Sequence, residues 1–248
     1  ICQDLVTMEF RAFPADAVVA AITPRTRLLF LHTPNNPTGQ AIPHSLLRRI
    51  ATAAPHATVV IDEAYVEFAD PAPDRQSASF LDELPRHANV VVGRTFSKAY
   101  GLAGMRIGVL IGHPARLESI RAVTPVFNLN TVAMTAMHAA LADSAFLPGY
   151  VAGVRESRER LYAACQRLGL EYWPSAANFV LVRVGPRASE VVAHLSASGV
   201  HVRDRSKDPH SPGCIRVTAG ITSHTDRAIE ALDAVVAENA EKAALGAG

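Results

Sequence analysis

The sequence predicts an α/β protein, with a mostly parallel sheet that has helices on both faces and a smaller α+β domain after it. Three observations lead to this prediction. Apolar runs that suit buried strands alternate with helix-like segments in the first half of the chain. Turn-forming and polar residues follow these runs directly. A long amphipathic segment follows these strands and helices, and the strands and helices after it are shorter and differently spaced. We therefore expect one domain at residues 1–143, and a connecting helix with a small domain at residues 144–248.

In the first domain, continuous apolar runs bounded by turn signals predict strands at residues 27–32, 58–62, 90–92 and 106–112. Segments with an apolar stripe, or short segments bounded by proline, predict helices at residues 17–22, 43–53 and 80–84. A proline-rich loop at residues 70–79 precedes the last of these helices. Strands that alternate with helices in this way are typical of a parallel sheet.

After Pro114 the pattern becomes helical, and it predicts helices at residues 115–123, 130–142 and 149–168. Gly169 suits the C-terminal cap of the last one, because glycine accepts the left-handed conformation found there. The remaining elements are predicted as strands at residues 179–184, 200–203 and 214–218 and helices at residues 188–198 and 223–238. Short strands interleaved with helices favour a small α+β domain.

Composition excludes several classes of protein. The 248 residues are 49% apolar and 19% charged, and the net charge is +1 without a basic run, so we expect no nucleic-acid partner. No apolar run suits a membrane span. The cysteines, Cys2, Cys165 and Cys214, form no CxxC pair, which favours a reducing, cytoplasmic location. Because the chain starts at Ile1 inside an α/β alternation, we expect it to be a piece of a longer protein.

Polar residues follow three successive strand predictions. Asn36 comes after the first strand, Asp62 ends the second, and Lys98 comes just after the third. In open parallel sheets, ligands bind beyond the carboxyl ends of the strands. We therefore expect these three side chains to share one site.

Lys98 and Asp62 suit an aldehyde cofactor that contains a pyridine ring. A lysine amine condenses with an aldehyde, and a carboxylate can pair with a pyridinium nitrogen and keep it protonated. An ionised aspartate buried alone would be costly, so such a pairing is one of its few stable arrangements. Taken singly, a lysine such as Lys98 is more often a solvated loop residue, and an aspartate such as Asp62 is more often a helix cap or an ion-paired residue.

The neighbouring polar residues suit the rest of such a cofactor. Asn36 and Tyr65 can both hydrogen-bond a ring oxygen, although each is also a common turn or packing residue. Thr95, Ser97 and Arg106 offer hydroxyls and a forked cation, which match a phosphate dianion. Arg106 could instead bind a backbone carbonyl.

Three motifs in this order resemble the fold-type I pyridoxal-phosphate aminotransferases, and most of all their histidinol-phosphate branch: PNNPTG at 34–39, DEAYVEF at 62–68 and TFSKAYGLAGMRIG at 95–108. The resemblance implies pyridoxal 5'-phosphate as the cofactor. Lys98 would condense with it and carry the proton, and Asp62 would bind the ring nitrogen. The ring oxygen and the phosphate would then be bound by Asn36 and Tyr65, and by Thr95, Ser97 and Arg106.

The resemblance also implies a substrate site in the second domain. Arg216, in CIRVTAG, matches the arginine that aminotransferases use for an acidic group of the substrate. Arg203, thirteen residues earlier, matches a second arginine that addresses a phosphate in the histidinol-phosphate branch. Two guanidiniums suit a dianion better than a single carboxylate. The alternative is that Arg203 is an exposed edge-strand residue without a role.

The resemblance implies transamination between L-histidinol phosphate or imidazole-acetol phosphate and 2-oxoglutarate or L-glutamate, in a homodimer. Other possibilities are an aromatic or general amino-acid aminotransferase, a threonine-phosphate decarboxylase, and a non-catalytic relative that kept the fold for binding. Compared with the family, roughly a hundred N-terminal residues are expected to be absent. They would carry a glycine-containing phosphate loop, an aromatic residue that stacks on the ring, and a tyrosine lent to the neighbouring subunit.

Overall fold

The computed structural model, which describes residues 13–71, 77–208 and 210–245, contains two four-stranded sheets, each in its own unit. One unit ends at Pro148, and the other comprises the chain from Gly149 onward together with Pro37–Gly39. In the first unit the strand order is β1-β2-β3-β4, with bounds Leu28–His32, Thr58–Asp62, Val90–Thr95 and Gly108–Gly112. β1, β2 and β3 are parallel, whereas β4 is antiparallel to β3. The sheet is thus mostly parallel.

The helices of the first unit are α1 (Ala15–Ala21), α2 (His44–Ala53), α3 (Pro114–Arg121) and α4 (Thr131–Ala142). Three 3₁₀ segments join them, at Val66–Phe68, Phe80–Arg86 and Ala103–Met105. Asn130 caps α4, because its Oδ1 accepts a hydrogen bond from the Ala133 N–H at 2.8 Å. Residues 72–76 of the expected proline-rich loop lie outside the described residues.

The core of the first unit lies on one face of its sheet. Leu31, Val59, Ile61 and Val92 are buried there against apolar residues of α1 and α2. Side chains alternate between the two faces of a strand, so the residues between them point the other way. Packing therefore assigns one face of β1, β2 and β3 to the core and leaves the other available for a site.

In the second unit the sheet is antiparallel, in the order β5-β6-β8-β7. Its strands are β5 (Glu171–Trp173), β6 (Phe179–Arg183), β7 (Arg203–Asp204) and β8 (Cys214–Thr218). The remaining helices are α5 (Phe146–Leu168), α6 (Ala188–Ala197) and α7 (Thr222–Leu245). The sequence did not predict β5, because this strand is only three residues long and begins with an exposed glutamate.

The helices α5 and α6 both contact one face of this second sheet. On α5, Tyr162 stacks on Tyr172 of β5, with the ring centroids 4.9 Å apart. On α6, Ser189 donates a hydrogen bond from its Oγ to Asp204 of β7 at 2.7 Å. The strand residues that alternate with Tyr172 and Asp204 lie on the opposite face of the sheet.

Cys165 and Cys214 are buried free thiols, and burial raises the pKa of Cys165 to about 11. Cys2 lies outside the described residues. Within the three ranges that the structure describes, no helix is both long and apolar enough to cross a membrane.

Candidate active site

A cavity of about 780 Å³ in the first unit brings together most of the residues proposed for a cofactor. Its lining includes Asp62 at the end of β2, Thr95 at the end of β3, and Ser97, Lys98 and Arg106 from the segment between β3 and β4. Five side chains from two strand ends and one loop thus line a single space. This arrangement is the one expected beyond the carboxyl ends of parallel strands.

Strand alternation explains why the cavity lies on the face opposite the core. Asp62 is in register with Gly93, and Gly93 with Leu110 of β4, so these positions share a face. Phe30 and Val60 lie on the same face, in register with each other, and also line the cavity. The wall is therefore apolar, while polar groups are concentrated at the strand ends.

A closed loop holds Lys98. The Leu102 N–H donates to the Phe96 carbonyl at 3.0 Å, and the Phe96 N–H donates to the Ile107 carbonyl at 3.2 Å. Gly101, with φ at 68°, donates its N–H to the Lys98 carbonyl at 3.1 Å. Such a positive φ favours glycine. These bonds tie both ends of the loop together, so that the backbone of Lys98 is fixed relative to β3.

Lys98 is a chemically distinctive choice in this chain. The sequence contains only three lysines, at positions 98, 207 and 242. Apart from histidines, all its other basic residues are arginines. A lysine can lose its proton and condense with an aldehyde, whereas an arginine stays charged. The Lys98 Nζ lies 5.6 Å from the ring centroid of Tyr65, which is buried. The structure thus brings Lys98 and Tyr65 together.

The other cavity residues retain hydrogen-bonding capacity beyond the bonds that position them. Asp62 accepts from the Ala64 N–H at 3.0 Å through Oδ1, and Thr95 accepts from the Ser97 N–H at 3.1 Å through Oγ1. Arg106 donates from Nη1 to the Ala103 carbonyl at 3.0 Å, and its guanidinium carries five N–H donors in all. The carboxylate, hydroxyls and guanidinium can therefore also serve a ligand.

Arg106 occupies an unexpected backbone conformation. Sequence analysis expected a strand from residue 106, but β4 begins at Gly108, and Arg106 is left-handed with φ at 55°. A non-glycine residue with positive φ is uncommon. The change of direction after the 3₁₀ segment Ala103–Met105 makes Arg106 a loop residue beside the cavity.

The structure does not place Asn36 in the cavity lining. It follows β1 in a loop that is closed by a hydrogen bond from the Asn35 N–H to the Gln40 carbonyl at 2.7 Å. Its side chain is exposed, and Asn36 is not among the residues that line the cavity. A role in holding a cofactor therefore remains a prediction from the sequence.

The residues of the cavity fit pyridoxal phosphate, the group that the motifs imply. An amine for the aldehyde and a carboxylate for the ring nitrogen are provided by Lys98 and Asp62. Hydroxyls and a guanidinium for the phosphate are provided by Thr95, Ser97 and Arg106. The cavity lining thus offers groups of the appropriate chemistry for the aldehyde, the ring nitrogen and the phosphate.

In the second unit, the structure brings Arg203 and Arg216 together. They are directly opposite each other on the antiparallel strands β7 and β8 and therefore share a face. The Arg216 Cζ lies 4.9 Å from the ring centroid of Phe179, so this guanidinium makes a cation–π contact with the ring. Like charges opposite each other destabilise a sheet unless something compensates. A bound anion would compensate here.

The neighbouring residue fixes the orientation of Arg203. Asp204 accepts hydrogen bonds from Ser206 Oγ at 2.6 Å and from Ser189 Oγ at 2.7 Å, on the face contacted by α6. These hydroxyls lower the pKa of the Asp204 carboxyl, with Ser206 the largest cause. Because adjacent strand residues point to opposite faces, anchoring Asp204 directs Arg203 away from α6.

Several residues that line the cavity were not predicted from the sequence, including Arg121 at the end of α3 and Thr124 and Asn128 after it. No local pattern marks them, since their place depends on how α3 lies beside β4. The sequence also assigned no role to Glu63 and Arg94, which are adjacent to Asp62 and Thr95. Because side chains alternate between the two faces of a strand, neighbouring residues at both strand ends could have been assigned to opposite faces from the sequence.

Comparisons with known proteins identify the family to which the chain is similar. Residues 5–232 match the profile of the family described as aminotransferase class I and II. Histidinol-phosphate aminotransferase 1 of Cupriavidus pinatubonensis is 41% identical over 222 residues, which are 88% of this chain and 58% of that protein. An aromatic amino acid aminotransferase of Rhodococcus opacus is also 41% identical, over 212 residues, covering 85% of this chain and 56% of that protein.

A solved structure is similar as well. The histidinol-phosphate aminotransferase of Sinorhizobium meliloti, in complex with pyridoxal-5'-phosphate, superposes with a TM-score of 0.76 at 33% identity. The match covers 85% of this chain and 57% of that one. The chain thus spans 56% to 58% of the length of these three proteins.

Proposed function

The chain belongs to the aminotransferase class I and II family, and we propose that it carries the catalytic lysine of a pyridoxal-phosphate-dependent transaminase. The proposed reaction interconverts imidazole-acetol phosphate and L-histidinol phosphate, with L-glutamate and 2-oxoglutarate as the second pair. The observation that carries the proposal is the joint presence of Lys98 and Asp62 in one cavity. The names of relatives at 33% to 41% identity support the substrate assignment.

Each cavity residue has a chemical task in this proposal. When bound, the cofactor supplies an aldehyde that holds the amino group in transit and a ring that accepts electrons. Lys98 would take a proton from the substrate carbon onto Nζ and deliver it to a different carbon, the one that belonged to the aldehyde, which requires that the amine be unprotonated at the start of the transfer. Asp62 keeps the ring nitrogen protonated through its negative charge. Asn36 and Tyr65 would hold the ring oxygen, and Tyr65 would also limit the positions open to Nζ.

The phosphate groups require separate cations. Thr95, Ser97 and Arg106 would hold the phosphate of the cofactor, because hydroxyl and guanidinium donors bind phosphate oxygens strongly. Arg203 and Arg216 would hold the phosphate of the substrate. Their direct opposition across β7 and β8 supports a doubly charged ligand, since a dianion can satisfy both guanidiniums.

The cofactor assignment is tested by titrating the protein with pyridoxal phosphate, reducing it with borohydride and mapping the modified peptide. The expected product carries one label, on Lys98. Lys207 and Lys242 are internal controls, because a non-specific reaction would label them to a similar extent. The variant Lys98→Arg keeps the positive charge but should lose the label. A label distributed equally over all three lysines would contradict the assignment.

A second candidate is an aromatic amino-acid aminotransferase, which the 41% identity to the Rhodococcus opacus enzyme favours. A carboxylate substrate would need Arg216 but not Arg203. Comparing kcat/KM for L-histidinol phosphate with that for L-phenylalanine, both with 2-oxoglutarate as the acceptor, distinguishes the two reactions. A higher value for the phosphate ester supports the first candidate, and a higher value for phenylalanine supports the second.

We further propose that the protein acts as a homodimer in the cytoplasm, on small-molecule substrates. The aminotransferase relatives support the class of substrate. Analytical ultracentrifugation would measure the assembly, and a monomer at micromolar concentration would contradict the dimer.

A further inference from the structure

An ionic network lies on the core side of the sheet, behind the proposed site. Glu63, with 1% of its side chain exposed, accepts hydrogen bonds at 2.6 Å from the Phe80 N–H and from Ser79 Oγ. Arg94 donates from Nη2 to Glu67 Oε1 at 2.6 Å and from Nη1 to Ser79 Oγ at 3.3 Å. Its Nη1 is also 3.5 Å from Glu63 Oε2. One guanidinium therefore joins two nearly buried carboxylates.

The members of this network are the chain neighbours of proposed site residues. Glu63 directly follows Asp62, and Arg94 directly precedes Thr95. Because side chains alternate along a strand, Asp62 and Thr95 face the cavity while Glu63 faces the core. Arg94 borders the cavity, but its guanidinium is bound to Glu67 and Ser79. The Glu63 N–H also donates to the Gly93 carbonyl at 2.9 Å. Anchoring one residue of each pair thus limits rotation of the backbone that orients the other.

The buried charges need this particular arrangement. Burial raises the pKa of Glu63, and the Phe80 N–H, Ser79 and Arg94 counteract that rise. Removing one partner from a buried ion pair leaves an uncompensated charge, which is strongly unfavourable. A lysine at position 94 would keep the charge but lose the planar fork that reaches both Glu67 and Ser79.

We propose that Glu63, Arg94 and Glu67 are positioning residues, which fix the directions of Asp62 and of the loop that carries Lys98. They act through the ends of β2 and β3. The carboxylates of Glu63 and Glu67 are outside the cavity lining, whereas Arg94 borders the cavity beside Thr95. The proposal deepens the proposed function and rests on it, insofar as Asp62 and Lys98 hold the cofactor.

Two variants test the proposal, with one matched control. Glu63→Gln removes the charge, and Arg94→Lys removes the fork and serves as the second test if Glu63→Gln does not fold. The control is Glu83→Gln, since Glu83 is also nearly buried, at 6% exposure, and its Oε1 lies 3.0 Å from Arg48 Nη1. This second ion network is in the same unit and pairs Glu83 with Arg48 and Arg86 rather than with Arg94.

Two measurements are made on each variant. Hydrogen exchange without cofactor reports the order of residues 62–64 and 94–98. Visible circular dichroism during a pyridoxal-phosphate titration gives the dissociation constant and a signal that depends on how the ring is held. We expect faster exchange in both segments, an altered signal, and binding weaker by roughly tenfold or more, as for a lost hydrogen bond to a charged group. The control should lose thermal stability without these changes.

Each outcome decides a separate question. If Glu63→Gln and Arg94→Lys resemble the control, with a lower melting temperature but wild-type exchange, affinity and dichroism, the positioning role is wrong. If the wild-type protein does not bind pyridoxal phosphate, the proposed function fails. In that case the exchange measurement still decides whether the network orders the two strand ends.

Discussion

Replacing Arg203 with alanine should weaken phosphate binding without weakening the fold. Arg203 lies on the edge strand β7, is exposed, and stands directly opposite Arg216 on β8. Like charges directly opposite each other on neighbouring strands are unfavourable. With a phosphate dianion present, both guanidiniums gain charge-assisted hydrogen bonds. The same substitution should therefore have different effects on the free and the substrate-bound protein.

The magnitudes follow from this geometry. Relief of a like-charge pair on opposite strands is worth about 0.2–1 kcal/mol, so the free energy of unfolding should be unchanged or rise by up to that amount. Loss of a hydrogen bond to a charged group is worth about 1.5–3 kcal/mol. At about 1.4 kcal/mol per factor of ten, kcat/KM for L-histidinol phosphate should fall by about 10-fold to 150-fold.

The assay compares two substrates and two variants. For L-phenylalanine, which has no phosphate, kcat/KM should change by less than about threefold, because an exposed charge pair contributes little. The matched control is Arg183→Ala on β6. Arg183 is another arginine of the same sheet, but its Nε already pairs with Glu171 at 2.7 Å and its guanidinium stacks on Trp173. This variant should lose some stability and keep its selectivity for phosphate.

Two results would refute the reasoning. An equal loss for both substrates would mean that Arg203 does not address the phosphate. A marked fall in the unfolding free energy of the free Arg203→Ala protein, measured in urea, would mean that the pair is not repulsive and that the structural argument for an anion is wrong.

Three further predictions concern stability and reactivity. Gly108→Ala should lower the unfolding free energy by about 1–3 kcal/mol, because the added Cβ would lie 2.7 Å from the Arg94 carbonyl oxygen. The control Gly104→Ala, whose added Cβ would have no atom within 4 Å, should have a much smaller effect in the same urea titration. The Cys165 thiol, with its pKa raised to about 11 by burial, should react with iodoacetamide at pH 8 only after unfolding; rapid labelling of the native protein at this residue would contradict its burial. The pKa of Asp204 is lower in the folded protein than in the unfolded chain. The ionised carboxylate therefore stabilises the fold above the unfolded pKa, and this stabilisation is lost as the pH falls through the folded pKa. Asp204→Asn should thus make the unfolding free energy less dependent on pH below about pH 4. Denaturation curves of both proteins between pH 2 and pH 6 would reveal parallel pH dependence if this is wrong.

Local sequence was sufficient for the strands that are buried. The predicted bounds of β2 and β8 match the observed Thr58–Asp62 and Cys214–Thr218. Both are short runs rich in β-branched residues, and such runs suit a buried strand regardless of what surrounds them. The order of the motifs likewise indicated the family and the cofactor before any contact was known.

Strand ends depended on neighbours and were predicted less well. The strand from Val90 was expected to stop before Gly93, yet β3 continues to Thr95. It continues because β4 provides partners for its last residues, with Thr95 opposite Gly108. Helix α7 likewise continues to Leu245, past the expected end at residue 238, through an alanine-rich segment with high helix propensity.

The sequence by itself determined which chemical groups the protein has and in what order: an amine, carboxylates, hydroxyls and guanidiniums placed after short apolar strands. Only the tertiary structure decided which of them meet. The register of β7 and β8 set Arg203 opposite Arg216. Hydrogen bonds from Ser79 and Phe80 hold Glu63 in the core, while Asp62 lines the cavity. The physical reason is that residue chemistry is local, whereas register and facing are fixed by burial and hydrogen bonds between segments that are distant in the chain.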